Sequence, residues 1–296
     1  MLILALLVAC SLIALQAWGP GTHMEFAERV YRRRKELLTS GVAKLLTEER
    51  RSFLYGNIAA DIVNFKAFGG HQNHCHRWTI ISEMRERATT PREEAFILGY
   101  LSHLAADTIA HNHFVPYHLV RFARMKGLGH LYWEMNADRF ISERRWDEIS
   151  VLKRDPELEQ LDELINTTVI KKAFSMKTNK LIFSHVLLVS ERERWRKGMS
   201  RFHPIKRVAL QKGFLELFRK AAVKRIRLAL RPRTFDQLTH IDTTGKRAQK
   251  LAMKERKQIA MKFKPGKNRD ERAAENAAYF LQGMESPPPH SGAPHW

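Results

Sequence analysis

Acidic and imidazole side chains recur at four-residue steps in an apolar segment near the middle of the chain. His103, Asp107 and His111 are each four positions apart. In a helix this spacing puts successive side chains on one face, about one turn from each other. Histidine nitrogens and carboxylate oxygens are common zinc ligands when they converge from a rigid support. A single His-x-x-x-Asp pair is more often a hydrogen-bonded core pair, but the repeated step favours a metal site.

Further potential ligands surround this segment, since nine of the fourteen histidines precede residue 135. His130 and Glu134 repeat the four-residue spacing, and the sequence His-Cys-His spans residues 74–76. No Lys or Arg occurs between Arg92 and Arg121 to neutralise Asp107. Because a buried carboxylate without a cation or donor is costly, we predict a metal ion as its partner.

The net positive charge of the chain lies entirely in its C-terminal part. Residues 1–170 carry 21 basic and 21 acidic side chains, whereas residues 171–296 carry 30 and 10. This asymmetry indicates a partner with an anionic surface. With 44% hydrophobic residues among 296, the chain can bury a core, which excludes wholesale disorder and fibrous folds. Two cysteines exclude a disulfide framework.

The first 17 residues contain no charged side chain and end at the sequence Trp-Gly-Pro-Gly. They are typical of a signal peptide cleaved after Ala17, which would make Trp18 the new N-terminus. Two alternatives stay open: an uncleaved membrane anchor, and lipidation at Cys10 in a segment similar to a bacterial lipoprotein box. In each case we expect an exported chain that is periplasmic, secreted or membrane-associated.

The apolar periodicity predicts an all-α protein, because no convincing alternating strand or hairpin signal is present. The predicted helices cover residues 25–51, 93–110, 132–146, 158–174, 214–230 and 246–262. We divide the chain into a signal segment over 1–17, a first domain over 18–170, a basic helical region over 171–285 and a disordered tail over 286–296.

Six motifs, taken together, resemble one family. They are Trp18-Gly-Pro-Gly-Thr-His23, Gly56-x4-Asp61, His74-Cys-His76, His103-Leu-Ala-Ala-Asp107, the histidines at 111 and 113, and Gly129-His130-Leu-Tyr-Trp-Glu134. Their order is similar to that of the zinc-dependent phospholipase C family, which is related to nuclease P1/S1 and to the N-terminal domain of glycosylphosphatidylinositol-specific phospholipase D. The resemblance covers roughly residues 18–140 and implies an all-α domain with three zinc ions.

Carried onto this sequence, the resemblance implies three ligand sets. The first ion would be held by His103, Asp107 and His76, with His74 as a close competitor. The second would be held by the backbone of Trp18, by His23 and by Asp107 as a bridging ligand.

The third ion would be held by His130, by Glu134 and by a histidine after the central motif. Both His111 and His113 fit a branch of the family, and the sequence does not separate them. Asp61 matches the family's acidic general base, although Ala60 replaces the proline often found before it.

The resemblance therefore implies a zinc-dependent phosphodiesterase. We expect a phospholipase C that acts at an anionic phospholipid membrane surface. The first alternative is a single-strand nuclease of the P1/S1 type, in which Phe65, Phe68, Tyr117 and Trp133 would be weak candidates for stacking on bases. The second is a non-catalytic lipid- or nucleic-acid-binding protein with structural zinc.

Overall fold

One long helix and its continuation, over 91–121, lie at the centre of the fold, and their buried residues are almost all apolar or small. The structure is a computed structural model. It describes residues 18–66, 68–70, 74–122, 133, 136–191 and 210–286, with the backbone alone over 185–191. In these ranges all regular secondary structure is helical, so the prediction of an all-α fold is confirmed.

The helices are numbered here in chain order. In the first part they are α1 Pro20–Arg32, α2 Arg34–Leu37, α3 Ser40–Glu48, α4 Arg50–Ala59, α5 Ile80–Arg85, α6 Pro91–Ile109, a π-helical turn Ala110–Phe114, and α7 Val115–Arg121. After these come α8 Glu143–Leu152, α9 Pro156–Glu159, α10 Asp162–Thr168 and α11 Met176–Glu191. The last are α12 Lys212–Ala229, α13 Pro232–Phe235, α14 Lys246–Lys262, α15 Lys267–Ala278 and a 3₁₀ turn Tyr279–Leu281.

Helix α6 begins with a capping box. The Thr90 side chain accepts a hydrogen bond from the backbone of Glu93, and the Glu93 side chain accepts one from the backbone of Thr90. Every residue from Ala95 to Ile109 is buried, because α1, α4 and α12 pack around the helix. This burial on all sides explains why α6 is apolar around its whole circumference.

Two glycines allow α4 and α6 to cross at very short distance. A Cβ atom on Gly56 would lie 2.1 Å from the carbonyl oxygen of Phe96, and one on Gly99 would lie 2.1 Å from that of Phe53. No other residue fits either position without moving the helices apart. The crossing brings the end of α4 beside the motif that begins at His103.

The C-terminal helices share the same hydrophobic core as the first part. Phe218 and Ile226 of α12, Ile259 of α14 and Phe280 are buried in one cluster with the residues of α6. Helices α14 and α15 pack against α7, α14 also packs against the π-helical turn, and α12 packs along α6. The basic region therefore lies directly against the helix that carries the central motif.

Three of the predicted helices are interrupted in the structure. The segment 158–174 forms the end of α9 and all of α10, with a turn at Gln160 and Leu161, and it is not helical after Thr168. The segment 25–51 forms α1, α2 and α3, with breaks at Arg33 and at Leu38 and Thr39. The predicted helix 132–146 is broken by a turn around Phe140, and α8 starts at Glu143. Among the described residues, no helix is both long and apolar enough to cross a membrane. Residues 1–17 and 287–296, on which the signal and tail predictions depend, lie outside the described ranges.

Candidate metal centre

The carboxylate of Asp107 is the point on which the histidines converge. Its Oδ1 atom lies 3.2 Å from Nε2 of His23, and its Oδ2 atom lies 3.1 Å from Nε2 of His76 and 3.2 Å from Nε2 of His103. The Nε2 atoms of His76 and His103 are 2.9 Å apart. His23, His103 and Asp107 are fully buried, and His76 is nearly so. Three ligand-type nitrogens thus surround one buried carboxylate.

The ring of His103 is held by the end of α4. Its Nδ1 atom lies 2.8 Å from the carbonyl oxygen of Asn57. Since a carbonyl can only accept, Nδ1 carries the proton and Nε2 keeps its lone pair toward Asp107. A backbone carbonyl that fixes the tautomer in this way is typical of metal-binding histidines.

The N-terminus of α1 positions His23 and Trp18. Asp138 accepts hydrogen bonds from the backbone of Gly21 at 3.1 Å, from the backbone of Thr22 at 2.9 Å and from the Thr22 hydroxyl at 2.6 Å. Trp18 is buried, and its Nε1 atom donates to the carbonyl oxygen of Ala106 at 3.1 Å. The first residue after the predicted cleavage position therefore lies beside the central motif.

Asp61 lies at the edge of the same cluster. Its Oδ1 atom is 3.4 Å from Nε2 of His76 and 3.6 Å from Nε2 of His103. It also forms a close ion pair with the buried ammonium group of Lys66, whose Nζ atom lies 3.2 Å from Nε2 of His76. Phe65, just before this lysine, has a φ of 52°, a left-handed conformation that residues with a Cβ atom rarely adopt. Such backbone strain is common at functional sites.

The structure brings His76, rather than His74, to the centre. His74 accepts a hydrogen bond from the backbone of His76 at 3.0 Å, and its ring centroid is 6.0 Å from that of His76. The ligand atoms of His74, Cys75 and His76 do lie close enough to one another to hold a separate metal ion. The ligand role of either histidine stays a prediction.

His111 and His113 occupy the π-helical turn and point to different neighbours. Nε2 of His111 lies 3.7 Å from Oδ2 of Asp107. His113 donates from Nδ1 to the carbonyl oxygen of Phe280 at 2.8 Å, which leaves its Nε2 atom with a lone pair. His130 and Glu134, with which one of these histidines is predicted to share an ion, lie outside the described residues. The choice between His111 and His113 therefore stays open.

The buried charges shift the titration of the central groups. Burial alone would raise the pKa of Asp107, but the attraction of His103 and His23 outweighs it and holds this pKa well below the ordinary range. Burial also lowers the pKa of His23 to about 4. Asp61 stays ionised because the charge of Lys66 outweighs the effect of burial and lowers its pKa. At neutral pH the centre thus holds two carboxylates and a neutral imidazole at position 23.

The unsatisfied polar atoms of the centre fit a cation. Both ring nitrogens of His23 and both carboxylate oxygens of Asp107 are buried and make no hydrogen bond among the described residues. Leaving four such atoms without a partner is costly. His23, His103 and Asp107 form one group whose ligand atoms could hold a metal ion, and Asp61, His76 and His103 form another. Imidazole nitrogens with carboxylate oxygens are a donor set that suits zinc.

A profile of the family named zinc dependent phospholipase C matches residues 22–181, which is more than half of the chain. The chain belongs to the zinc-dependent phospholipase C family. The match contains His23, Asp61, His76 and the central motif of α6, and it begins four residues after Trp18. No curated protein and no solved structure matches the chain.

Several neighbours of the site were not predicted from the sequence. Lys66 lies about 40 positions before Asp107 in the sequence, so no helical spacing relates the two residues. The role of Asp138 could not be predicted from spacing, because the backbone groups that donate to it lie more than 110 positions earlier in the chain. The C-terminal contacts described below were missed for the same reason.

Proposed function

We propose that this family member is a zinc-dependent phosphodiesterase that hydrolyses membrane phospholipids as a phospholipase C does. The observation that carries the proposal is the convergence of His23, His76 and His103 on the unsatisfied carboxylate of Asp107. A structural zinc site has four protein ligands and no open position, whereas a catalytic site combines fewer ligands with a nearby acid or base. Asp61 supplies such a group at the edge of the cluster.

In this proposal Asp107 would be a ligand of two ions. One would be held by His76, His103 and Asp107, and the other by His23, Asp107 and the backbone of Trp18. The indole of Trp18 is fixed on the carbonyl oxygen of Ala106, which supports a role for its backbone close to Asp107. A third ion would be held by His130, Glu134 and one of the two histidines of the π-helical turn.

Bound zinc would act as a Lewis acid that lowers the pKa of a water molecule and withdraws charge from the phosphoryl oxygens. The ionised carboxylate of Asp61 can orient the attacking water and accept its proton. His103, fixed by Asn57, and His23, fixed by the capped start of α1, keep their rings in place without reorganisation. The burial of Asp107 excludes bulk water and strengthens each of these interactions.

The aromatic residues favour a lipid substrate over a nucleic acid. Stacking on bases requires accessible rings. Phe65 packs on Phe174 with ring centroids 5.4 Å apart, Tyr117 packs on Phe214 at 5.0 Å, and Trp133 is buried. Of the four rings considered for stacking, Phe68 alone is largely exposed, at 68%.

One face of α14 fits an anionic membrane surface. At 100° per residue, an arc of about 100° contains four lysines and two methionines. These residues are Lys246, Lys250, Met253, Lys254, Lys257 and Met261, and all six are exposed. Met253 is 63% and Met261 75% exposed, which is unusual for large apolar side chains. Lysines around exposed apolar groups are typical of helices that lie in a lipid interface.

The activity is tested with the zinc-loaded chain on phosphatidylcholine vesicles and on single-stranded DNA in parallel. We expect release of the phosphorylated headgroup, loss of that release on chelation, and recovery with zinc. Release of nucleotides without any release from vesicles would support the nuclease alternative. Hydrolysis of neither substrate by a chain that carries zinc would overturn the enzyme proposal and favour a binding protein.

The role of the lysine-rich face of α14 in membrane binding is tested by the double change Lys250→Gln and Lys254→Gln. With about 1 kcal/mol for each lysine near an anionic surface, binding to mixed phosphatidylcholine and phosphatidylserine vesicles should weaken about 30-fold. The matched control is Lys220→Gln with Lys224→Gln, which removes the same charge at the same spacing from α12. Equal losses in both pairs would mean that overall charge, and not this face, binds the membrane.

We also propose that the chain is exported and cleaved after Ala17. Cleavage would free the amine of Trp18, which an uncleaved anchor or lipidation at Cys10 would not do. N-terminal sequencing of the secreted protein, together with its zinc content, tests this proposal. A mature N-terminus at any residue other than Trp18 would contradict it.

A further inference from the structure

A short C-terminal segment lies directly over the proposed metal ligands. We call residues 241–249 the cap segment; they follow α13, include the first residues of α14, and lie outside the range that matches the family. The cap segment is fixed at its beginning, where the indole Nε1 of Trp78 donates to the carbonyl oxygen of Ile241 at 2.8 Å. It therefore starts in contact with Trp78, which follows His76 by two residues, although 163 positions separate Trp78 and Ile241 in the sequence.

The first contact of the cap segment with a proposed ligand is made by Thr243. This residue is buried, and its hydroxyl donates a short hydrogen bond to the backbone carbonyl of His76. The segment around His76 has no regular secondary structure, and side chains hold its backbone: the Tyr100 hydroxyl donates to the carbonyl oxygen of Cys75 at 2.7 Å, and Thr243 holds the next carbonyl. The Thr243 hydroxyl therefore restricts the position of the His76 backbone, and with it the direction of the ring.

The second contact is made at His111. The side-chain amide of Gln249 lies 3.3 Å from Nδ1 of His111, on the side of the ring away from Asp107. Next to it, the side-chain amide of Asn112 donates to the carbonyl oxygen of Asp242 at 2.8 Å. A carboxamide can donate or accept, so Gln249 is able to pair with either tautomer of the imidazole.

The close approach of the two segments depends on Gly245. Its φ of 58° lies in the left-handed region, and a Cβ atom there would lie 2.3 Å from the carbonyl oxygen of His111. Glycine is the residue that meets both requirements. Together, the two side-chain contacts and this glycine place one segment against two histidines that stand on opposite sides of Asp107 in the sequence.

We propose that the cap segment is a positioning element of the metal centre, in which Thr243 orients His76 and Gln249 orients His111. The proposal rests on the proposed function, since it assumes that these histidines bind zinc. Partners of the second ring nitrogen and of the ligand backbone fix ring orientation, and their loss weakens metal affinity by about 10- to 100-fold. Part of the C-terminal region thereby completes a site whose ligands all lie in the first half of the chain.

The test uses the full chain with Thr243→Val and, separately, Gln249→Ala. Each has a matched control that removes the same group elsewhere in the C-terminal region. Thr239→Val deletes a hydroxyl that donates to the carbonyl oxygen of Asp236, and Gln258→Ala shortens an exposed glutamine of α14. Zinc affinity is measured by competition with a chelator, and ligand geometry by the visible absorption of the cobalt-substituted protein.

We expect each cap variant to lose about 10- to 100-fold in zinc affinity at one ion and to change the cobalt spectrum. The controls should keep both properties, and Gln249→Glu, which restores an acceptor for the imidazole, should recover the affinity. Because Thr243→Val also leaves a buried carbonyl without its donor, zinc affinities are compared at a temperature at which every metal-free variant is fully folded by circular dichroism, which separates positioning from a general loss of stability.

Two results would overturn the proposal: cap variants that bind zinc as their controls do, or equal losses in variants and controls. Neither result would affect the hydrolase proposal, because zinc binding and headgroup release are measured separately. Conversely, cap variants that lose zinc as expected, in a chain that releases no headgroup when loaded, would support the cap and refute the hydrolase.

Discussion

Replacing Asp107 by Asn tests the metal centre at the carboxylate on which three histidines converge. The change keeps the size of the side chain but removes its charge and one of its two acceptor oxygens. Removing one partner of a buried charge pair costs about 3–5 kcal/mol. Since 1.4 kcal/mol corresponds to a tenfold change in an equilibrium constant, zinc affinity should fall by about 10²- to 10⁴-fold. His23 contacts one oxygen of Asp107, while His76 and His103 contact the other, so two ions should be lost together.

The zinc content of the purified protein, measured by atomic absorption after dialysis against a weak chelator, checks this prediction. The matched control is Asp162→Asn, because Asp162 is also buried but accepts a hydrogen bond from Tyr55 at 2.8 Å and pairs with Lys180 at 2.7 Å, away from the centre. If Asp107→Asn removes one ion or none, the bridging role is wrong. If Asp162→Asn removes zinc equally, the loss reflects folding and not coordination.

Four further changes have expected outcomes. Glu134→Gln should remove mainly one zinc ion. Loss of two ions in the dialysis assay would contradict the prediction that Glu134 belongs to a third ligand set that is separate from Asp107. Lys66→Met should strengthen zinc binding at least about tenfold by chelator competition, since the ammonium group lies 3.2 Å from Nε2 of His76; weaker binding would contradict this competition. Gly245→Ala should destabilise the protein by about 1–2 kcal/mol or more in denaturant unfolding, whereas Gly41→Ala, with open space at its Cβ position, should not; equal effects would refute the steric argument. Burial lowers the pKa of His118 to about 3, so acid protonates the unfolded state first and stability falls below about pH 6.5. His118→Phe should therefore reduce the stability difference between pH 7.5 and 4.5 by about 3 kcal/mol, and an unchanged difference would contradict that assignment.

Helices with an uninterrupted apolar pattern could be predicted closely from the sequence. The prediction for 93–110 corresponds to α6, Pro91–Ile109, and the prediction for 214–230 corresponds to α12, Lys212–Ala229. Breaks between helices were harder to predict. A chain can turn sharply and still keep its apolar residues at helical spacing, because each short helix packs on the same core. This explains why 25–51 was predicted as one helical segment, although it forms α1, α2 and α3.

The site could be predicted where its residues are local and not where they are distant. A four-residue step carries information about a shared helix face, so His103 and Asp107 could be paired from the sequence alone. Lys66 and Asp138 look like ordinary charged residues, and only the folded chain brings them to the ligands. Thr243 lies 167 positions from the carbonyl group that it binds, a separation at which spacing predicts nothing.

Helix α14 relates the two roles that we propose for the C-terminal region. Gln249 lies on the side that faces His111, with Ile259 buried on the same half of the helix, whereas Lys250 and Lys254 are exposed on the other half. If these faces act independently, Gln249→Ala should weaken zinc binding and leave binding to anionic vesicles unchanged. The double lysine variant should do the reverse, because its side chains lie outside contact with any proposed ligand. Loss of both properties in either variant would mean that α14 as a whole is displaced, and it would remove the support for assigning separate roles to its two faces.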